Sequence, residues 1–185
     1  MKVIMPRCLQ PFLMLFLFLV TALASPLDAL AADATEQAGD IVAALLTASA
    51  VGVTAVNHDG VGFLQFGKSA LLSTGTTVVL KYTVEEERPN GKDHSFPSLH
   101  TSFSFTAAEY MRKRYGWEYG LPAYAAASFV GYSRVESDNH YWHDVLAGAA
   151  IGIASSYLFT DSYHGVRISA NAGKNYVVMQ LSRSW

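Results

Sequence analysis

SRVESDNHYWHDVLAGAAIGIASSYLF, residues 133–159, puts one arginine, two histidines and an aspartate in front of a run that carries no charge. The run reads as a buried helix, about 140–160, with Asp138-Asn139 looking like its cap. Gly148 and Gly152 lie four apart, with Ala150 and Ala154 alongside. Small residues at this spacing let a second helix approach closely, in lipid or in a tight soluble bundle. The partner expected is the segment 98–114, which is too polar to span a bilayer, so the spacing favours a bundle.

Working outward, the same reading gives helices over about 41–56, 61–86, 98–114 and 121–134. They are separated by His58-Asp59-Gly60, by Pro89-Asn90-Gly91 and by Tyr115-Gly116. Thr35 to Asp40 is a polar lead-in. After Asp161 the period changes to two: Val166 to Ala170, a turn over 171–174, and Tyr176 to Ser182 read as a β-hairpin with Val177, Met179 and Leu181 on one face. The expectation is an all-α bundle of about five helices, about 40–160, with a C-terminal β-hairpin, about 165–183.

The 185 residues are 51% hydrophobic, enough for one domain with a core. Lys2 and Arg7 precede an apolar run from Phe12 to Leu23, and Ala29-Leu30-Ala31 has the small-residue pattern of a cleavage site. Residues 1–31 read as a secretory signal peptide, leaving 32–185 as the domain; cleavage after Ala24 and an uncleaved anchor are the alternatives. The one cysteine, Cys8, precedes the apolar run, so the remaining chain has no disulfide or cysteine metal site. A net charge of −2 offers no basic field for nucleic acid. Mean hydropathy of +0.20 comes mainly from the leader, which points to an exported domain, soluble or attached to a membrane.

Three clusters carry chemistry. His140 and Asp144 stand one turn apart, so the carboxylate fixes the imidazole tautomer and frees the other nitrogen. A helix-entry cap is the plainer reading of this pair, and His140 with His143 and Asp144 forms a fragment of a metal site as a rival. His58 and His94 are too isolated to complete it. In KYTVEEERP, residues 81–89, Lys81 and Arg88 lie two helical turns apart and suit one oxyanion, or else they mark a solvated helix end. In FPSLH, residues 96–100, a serine and free N–H groups at a helix start suit an anion, although a plain N-cap explains Ser98 equally.

Lys81 with Arg88-Pro89, then Pro97-Ser98-Leu99-His100, then Ser133-Arg134 with His140 and Asp144, follow the patterns K-x6-R-P, P-S-G-H and S-R-x5-H-x3-D. In these residues the chain resembles the type 2 phosphatidic acid phosphatase superfamily, which shares its site with vanadium haloperoxidases and bacterial class A acid phosphatases. The resemblance implies a metal-free, cofactor-free phosphatase. In it His140 is the nucleophile, Asp144 orients it, and His100 is general acid and then general base. Lys81, Arg88 and Arg134 hold the phosphate oxygens with Ser98 and the Leu99 N–H. Leu99 stands where the family has glycine. The implied substrate is a phosphorylated lipid or isoprenyl phosphate, or a small soluble phosphoester, at a possible membrane surface in the periplasm. A vanadate-dependent haloperoxidase and a non-enzymatic envelope protein are the alternatives.

Overall fold

A computed structural model describes residues 31–163, 166–173 and 176–183, with side chains for 34–163. Residues 1–30, and with them nearly all of the expected signal peptide, lie outside the described residues. Among the described residues there are five helices: α1 Ala31–Val56, α2 Gly60–Thr83, α3 Leu99–Tyr115, α4 Trp117–Glu136 and α5 Trp142–Phe159. Two strands follow, β1 Val166–Gly173 and β2 Tyr176–Arg183, antiparallel with Val166 opposite Arg183. The side chains expected to form the buried face of this hairpin lie outside the described residues.

Four helix limits differ from the sequence reading, each for a local reason. The polar segment 35–40 is already helical, so α1 carries its acidic residues on its first turns. α2 stops at Thr83, where Val84 turns extended, which leaves Arg88 in the connecting loop rather than on a helical face with Lys81. Gly116, with φ of 100°, closes α3, and α4 starts at once. The cap of α5 is Tyr141, not Asp138-Asn139. Asp144 turns back to accept the Tyr141 N–H at 3.0 Å, while Asp138 takes a left-handed conformation in the turn before it.

α3 packs against all four other helices and is the centre of the bundle. Its polarity therefore faces inward: Thr101, Ser102, Ser104, Thr106 and Glu109 are all buried. Thr77 on α2 donates to the Ser102 hydroxyl at 3.0 Å, and Ser156 on α5 donates to the Thr106 carbonyl at 2.7 Å. Beside these bonds lies an apolar cluster that includes Leu46, Phe66, Met111, Ala127 and Val130. A Cβ at Gly148 would stand 2.6 Å from the Ser98 carbonyl, and one at Gly152 2.8 Å from the Thr106 nitrogen. The expected backbone-to-backbone contact of α5 with α3 is thus present.

The opposite end of the bundle is tied by a buried ion pair. Arg114 Nε and Nη2 reach the Asp59 carboxylate at 2.6 and 2.5 Å, and Tyr115 donates to the same group at 2.9 Å. Asp59 also accepts the Gly62 N–H as the N-cap of α2. The outer surface is unusually apolar: Leu64, Leu71, Val79, Leu121, Leu146 and Leu158 are each more than 60% exposed.

Candidate active site

Every residue of the three motifs lies at the other end of the bundle, where α2 and α4 finish and α3 and α5 begin, whereas His58 sits in the α1–α2 turn beside Asp59. The loop before α5 folds back so that the His140 and Asn139 N–H groups both donate to the Arg134 carbonyl. A second loop, 84–98, is bound to it through Asn90, whose N–H meets Asp138 O and whose side chain meets Asn139 at 3.1 Å. Helix ends and two pinned loops fix the site.

His140 is buried and presents Nδ1 to Asp144 Oδ2 at 3.2 Å. It stands before α5 rather than on it, so the pair meets through the back-turned carboxylate and not through a shared helical face. The same oxygen accepts the Ser95 hydroxyl at 2.5 Å and the Tyr141 N–H at 3.0 Å. With Nδ1 held, Nε2 is the nitrogen left to react. Burial, with Lys81 nearby, pushes the imidazole well below its ordinary value of 6.5, against the opposing pull of Asp144. A neutral ring is a competent nucleophile.

Ser98 is the N-cap of α3 and is fully buried, but its hydroxyl does not cap the helix. It accepts from Thr101 at 3.0 Å, and its N–H donates to the Asp144 carbonyl at 3.1 Å. The first-turn N–H groups of Leu99 and His100 have no acceptor within a helix by construction, and the dipole there favours an anion. Leu99 begins the helix with ordinary helical backbone, so the position does not require the glycine of the family pattern.

The three cations differ in what they hold. Lys81 Nζ donates to the carbonyls of His94 and Ser95 at 2.7 and 3.2 Å. Arg134, on the last turn of α4, is buried and reaches back to α1, to the Glu36 carbonyl at 2.7 Å and to Asp40 at 3.0 Å. Arg88 has a buried Nε with no hydrogen-bond partner among the described residues. A buried cationic donor without an acceptor suits an anion. His100 is half exposed and lies 3.3 Å from Asp40.

Four residues here were not singled out in the sequence: Ser95, Glu86, Glu36 and Asp40. The Glu86 carboxylate meets His143 Nε2 at 2.6 Å, and that nitrogen is also 3.2 Å from Asp144 Oδ1. Glu86, His143 and Asp144 thus offer three donor atoms within 4.8 Å of one another. The metal rival built on His140 and His143 would have to use this set, next to the charges of Lys81 and Arg88 that act on His140.

The assembly is a helical bundle that gathers Lys81, Arg88 and Arg134 at one end with a carboxylate-backed histidine. The model of the PAP2 superfamily matches residues 62–167, and the chain belongs to that family. Over 78 residues it is 41% identical to the lipid A 1-phosphatase of Porphyromonas gingivalis, covering 40% of this chain and 17% of that one. It is 28% identical over 165 residues to the lipid A 4'-phosphatase of Helicobacter pylori, covering 82% of both chains. The fold is like that of the crystal structure of Aquifex aeolicus LpxE, with a TM-score of 0.59 at 20% identity over 79% of this chain and 92% of that one.

Proposed function

We propose that this protein is a phosphatase that hydrolyses the phosphate monoester or diphosphate of a lipid through a phosphohistidine intermediate. The observation that carries it is His140, its Nδ1 on Asp144 and its Nε2 free, beside an uncapped helix start and the orphaned Arg88 donor. His140 Nε2 attacks phosphorus in line, and the bond to the leaving oxygen breaks as His100 gives that oxygen a proton. Water then attacks phosphorus as His100 takes its proton, the N–P bond breaks to free His140 Nε2, and phosphate leaves. Arg88, Arg134 and Lys81, with Ser98 and the Leu99 N–H, hold the charge that develops on the oxygens.

The names of the two relatives support a phosphorylated glycolipid as the substrate class. So does the surface. A polar interior wrapped in exposed leucine and valine is the pattern of a bundle solvated by lipid. Ala34–Val56, with mean hydropathy 1.7 over its most apolar window, is long enough to cross a bilayer. The polarity of α3, which in sequence argues against a span, is shielded at the centre. The bundle therefore reads as embedded in the membrane, with the site at one face. The start of α1 lies at the site end, so the cleavage near Ala31 proposed from sequence, made by an outward-facing peptidase, would put that face on the periplasmic side.

The test is phosphate release by the purified chain in detergent, on lipid A carrying 1- and 4'-phosphates, on phosphatidate and on an aryl phosphate. Acid-labile, base-stable phosphate is expected on the wild type after quenching and is absent from His140→Ala. Phosphate on serine, or full activity in that variant, overturns the nucleophile. Turnover is expected to survive EDTA; loss restored by a divalent ion would give the Glu86, His143 and Asp144 group to a metal.

A further inference from the structure

α1 lies wholly outside the part of the chain that the family model matches, yet its first turns close one side of the site. Asp40 Oδ1 is 3.0 Å from Arg134 Nη1 and 3.3 Å from His100 Nε2. Glu36, one turn earlier, gives its backbone carbonyl to Arg134 Nη2 at 2.7 Å. The contact is shaped for close approach. Gly39 faces Ser133 and Arg134, where a Cβ would overlap the Ser133 hydroxyl and stand 2.5 Å from Arg134 Nη2. A helix that merely passed by would not need its backbone so near the phosphate-binding arginine.

We infer that Asp40 is the positioning carboxylate of the acid–base histidine, so that the site holds two His–Asp pairs, His140 with Asp144 and His100 with Asp40. The inference rests on the phosphatase reading above. Asp40 stands 3.3 Å from His100 Nε2, which leaves Nδ1 for the leaving oxygen. In the first step the proton passes from Nδ1 to that oxygen as the P–O bond breaks, and Asp40 stays ionised throughout. Its charge favours the protonated ring that this step consumes. Arg134, on α4, Arg88, in the loop before α3, and Glu36, on α1, are the other charges acting on His100. Burial and the two arginines work against the protonated ring, and Asp40 and Glu36 oppose them.

A general acid matters most when the leaving group is poor. Asp40→Asn keeps size and shape and removes the charge. Its kcat/KM, which reports the steps up to departure of the leaving group, is expected to fall ten- to a hundredfold on an alkyl or lipid phosphate. On p-nitrophenyl phosphate, whose leaving group needs no proton, it is expected to fall no more than about threefold, and that rate also shows that the variant is folded. Asp40→Glu is expected to recover part of the alkyl rate. Equal losses on both substrates, a change in KM alone, or a rise in rate would overturn the inference. Wild-type enzyme that released phosphate from none of the substrates would instead overturn the phosphatase reading.

Discussion

Ser95 and Asp144 are 49 residues apart in sequence, and the Ser95 hydroxyl donates to Asp144 Oδ2 at 2.5 Å, both side chains fully buried. The bond fixes the oxygen that also faces His140. Ser95 itself is held by its N–H on the Glu86 carbonyl and by its own carbonyl on Lys81. Removing the hydroxyl leaves a buried carboxylate short of a donor, which costs about 1–3 kcal/mol. Ser95→Ala is expected to lower kcat about tenfold with KM little changed, measured on the aryl phosphate. An unchanged kcat would show that the Tyr141 N–H orients Asp144 unaided.

The His140 pair makes a prediction about acid. The folded site holds the imidazole below its ordinary 6.5. Above 6.5 neither the folded nor the unfolded chain binds the proton, and the shift contributes nothing to stability there. As pH falls below that value the unfolded chain takes up a proton that the folded site refuses, and stability declines until the folded value is passed. The NMR signal that vanishes in His140→Ala is expected to titrate well below 6.5. A midpoint at or above it would refute the neutral nucleophile.

On the proposed mechanism the N–H of Leu99, the first residue of α3, meets the phosphate and its partly buried side chain meets the leaving group. Leu99→Gly is expected to keep hydrolysis of a small aryl phosphate within a few fold. Hydrolysis of a lipid phosphate should lose apolar contact worth about 1 kcal/mol or more. A strong gain on every substrate would show instead that the leucine obstructs the site.

At the far end, Asp59→Asn leaves the buried Arg114 without its counter-charge. Breaking a buried pair costs about 3–5 kcal/mol. The variant is expected to lose that stability to denaturant in detergent while its kcat at low temperature matches the wild type. A lowered kcat with unchanged stability would tie the two ends of the bundle together.

The residues that matched three motifs were legible because each motif is local: a lysine before a helix stop, a serine at a helix start, a histidine at a helix entry. Their partners were not. Asp40 lies in a short polar stretch that reads as the approach to a helix, and nothing near it tells that α1 begins beside the ends of α3 and α4. Ser95 and Glu86 act across a loop whose path depends on the Asn90 bonds to 138 and 139. The membrane setting proposed above is hard to read from sequence for a related reason. Mean hydropathy sums over residues without regard to facing, and here the polar side chains of α3 are those hidden at the centre.

Gly148 acts as a spacer gauge for the chemistry. A Cβ at 148 would stand 2.6 Å from the Ser98 carbonyl, and the Ser98 N–H is bonded to the Asp144 carbonyl, so the separation of two helix backbones bears on where Asp144 holds His140. A methyl group at 148 would widen that gap before it touched any reacting atom. Turnover in Gly148→Ala should therefore fall further than stability, through a change made one turn after Asp144.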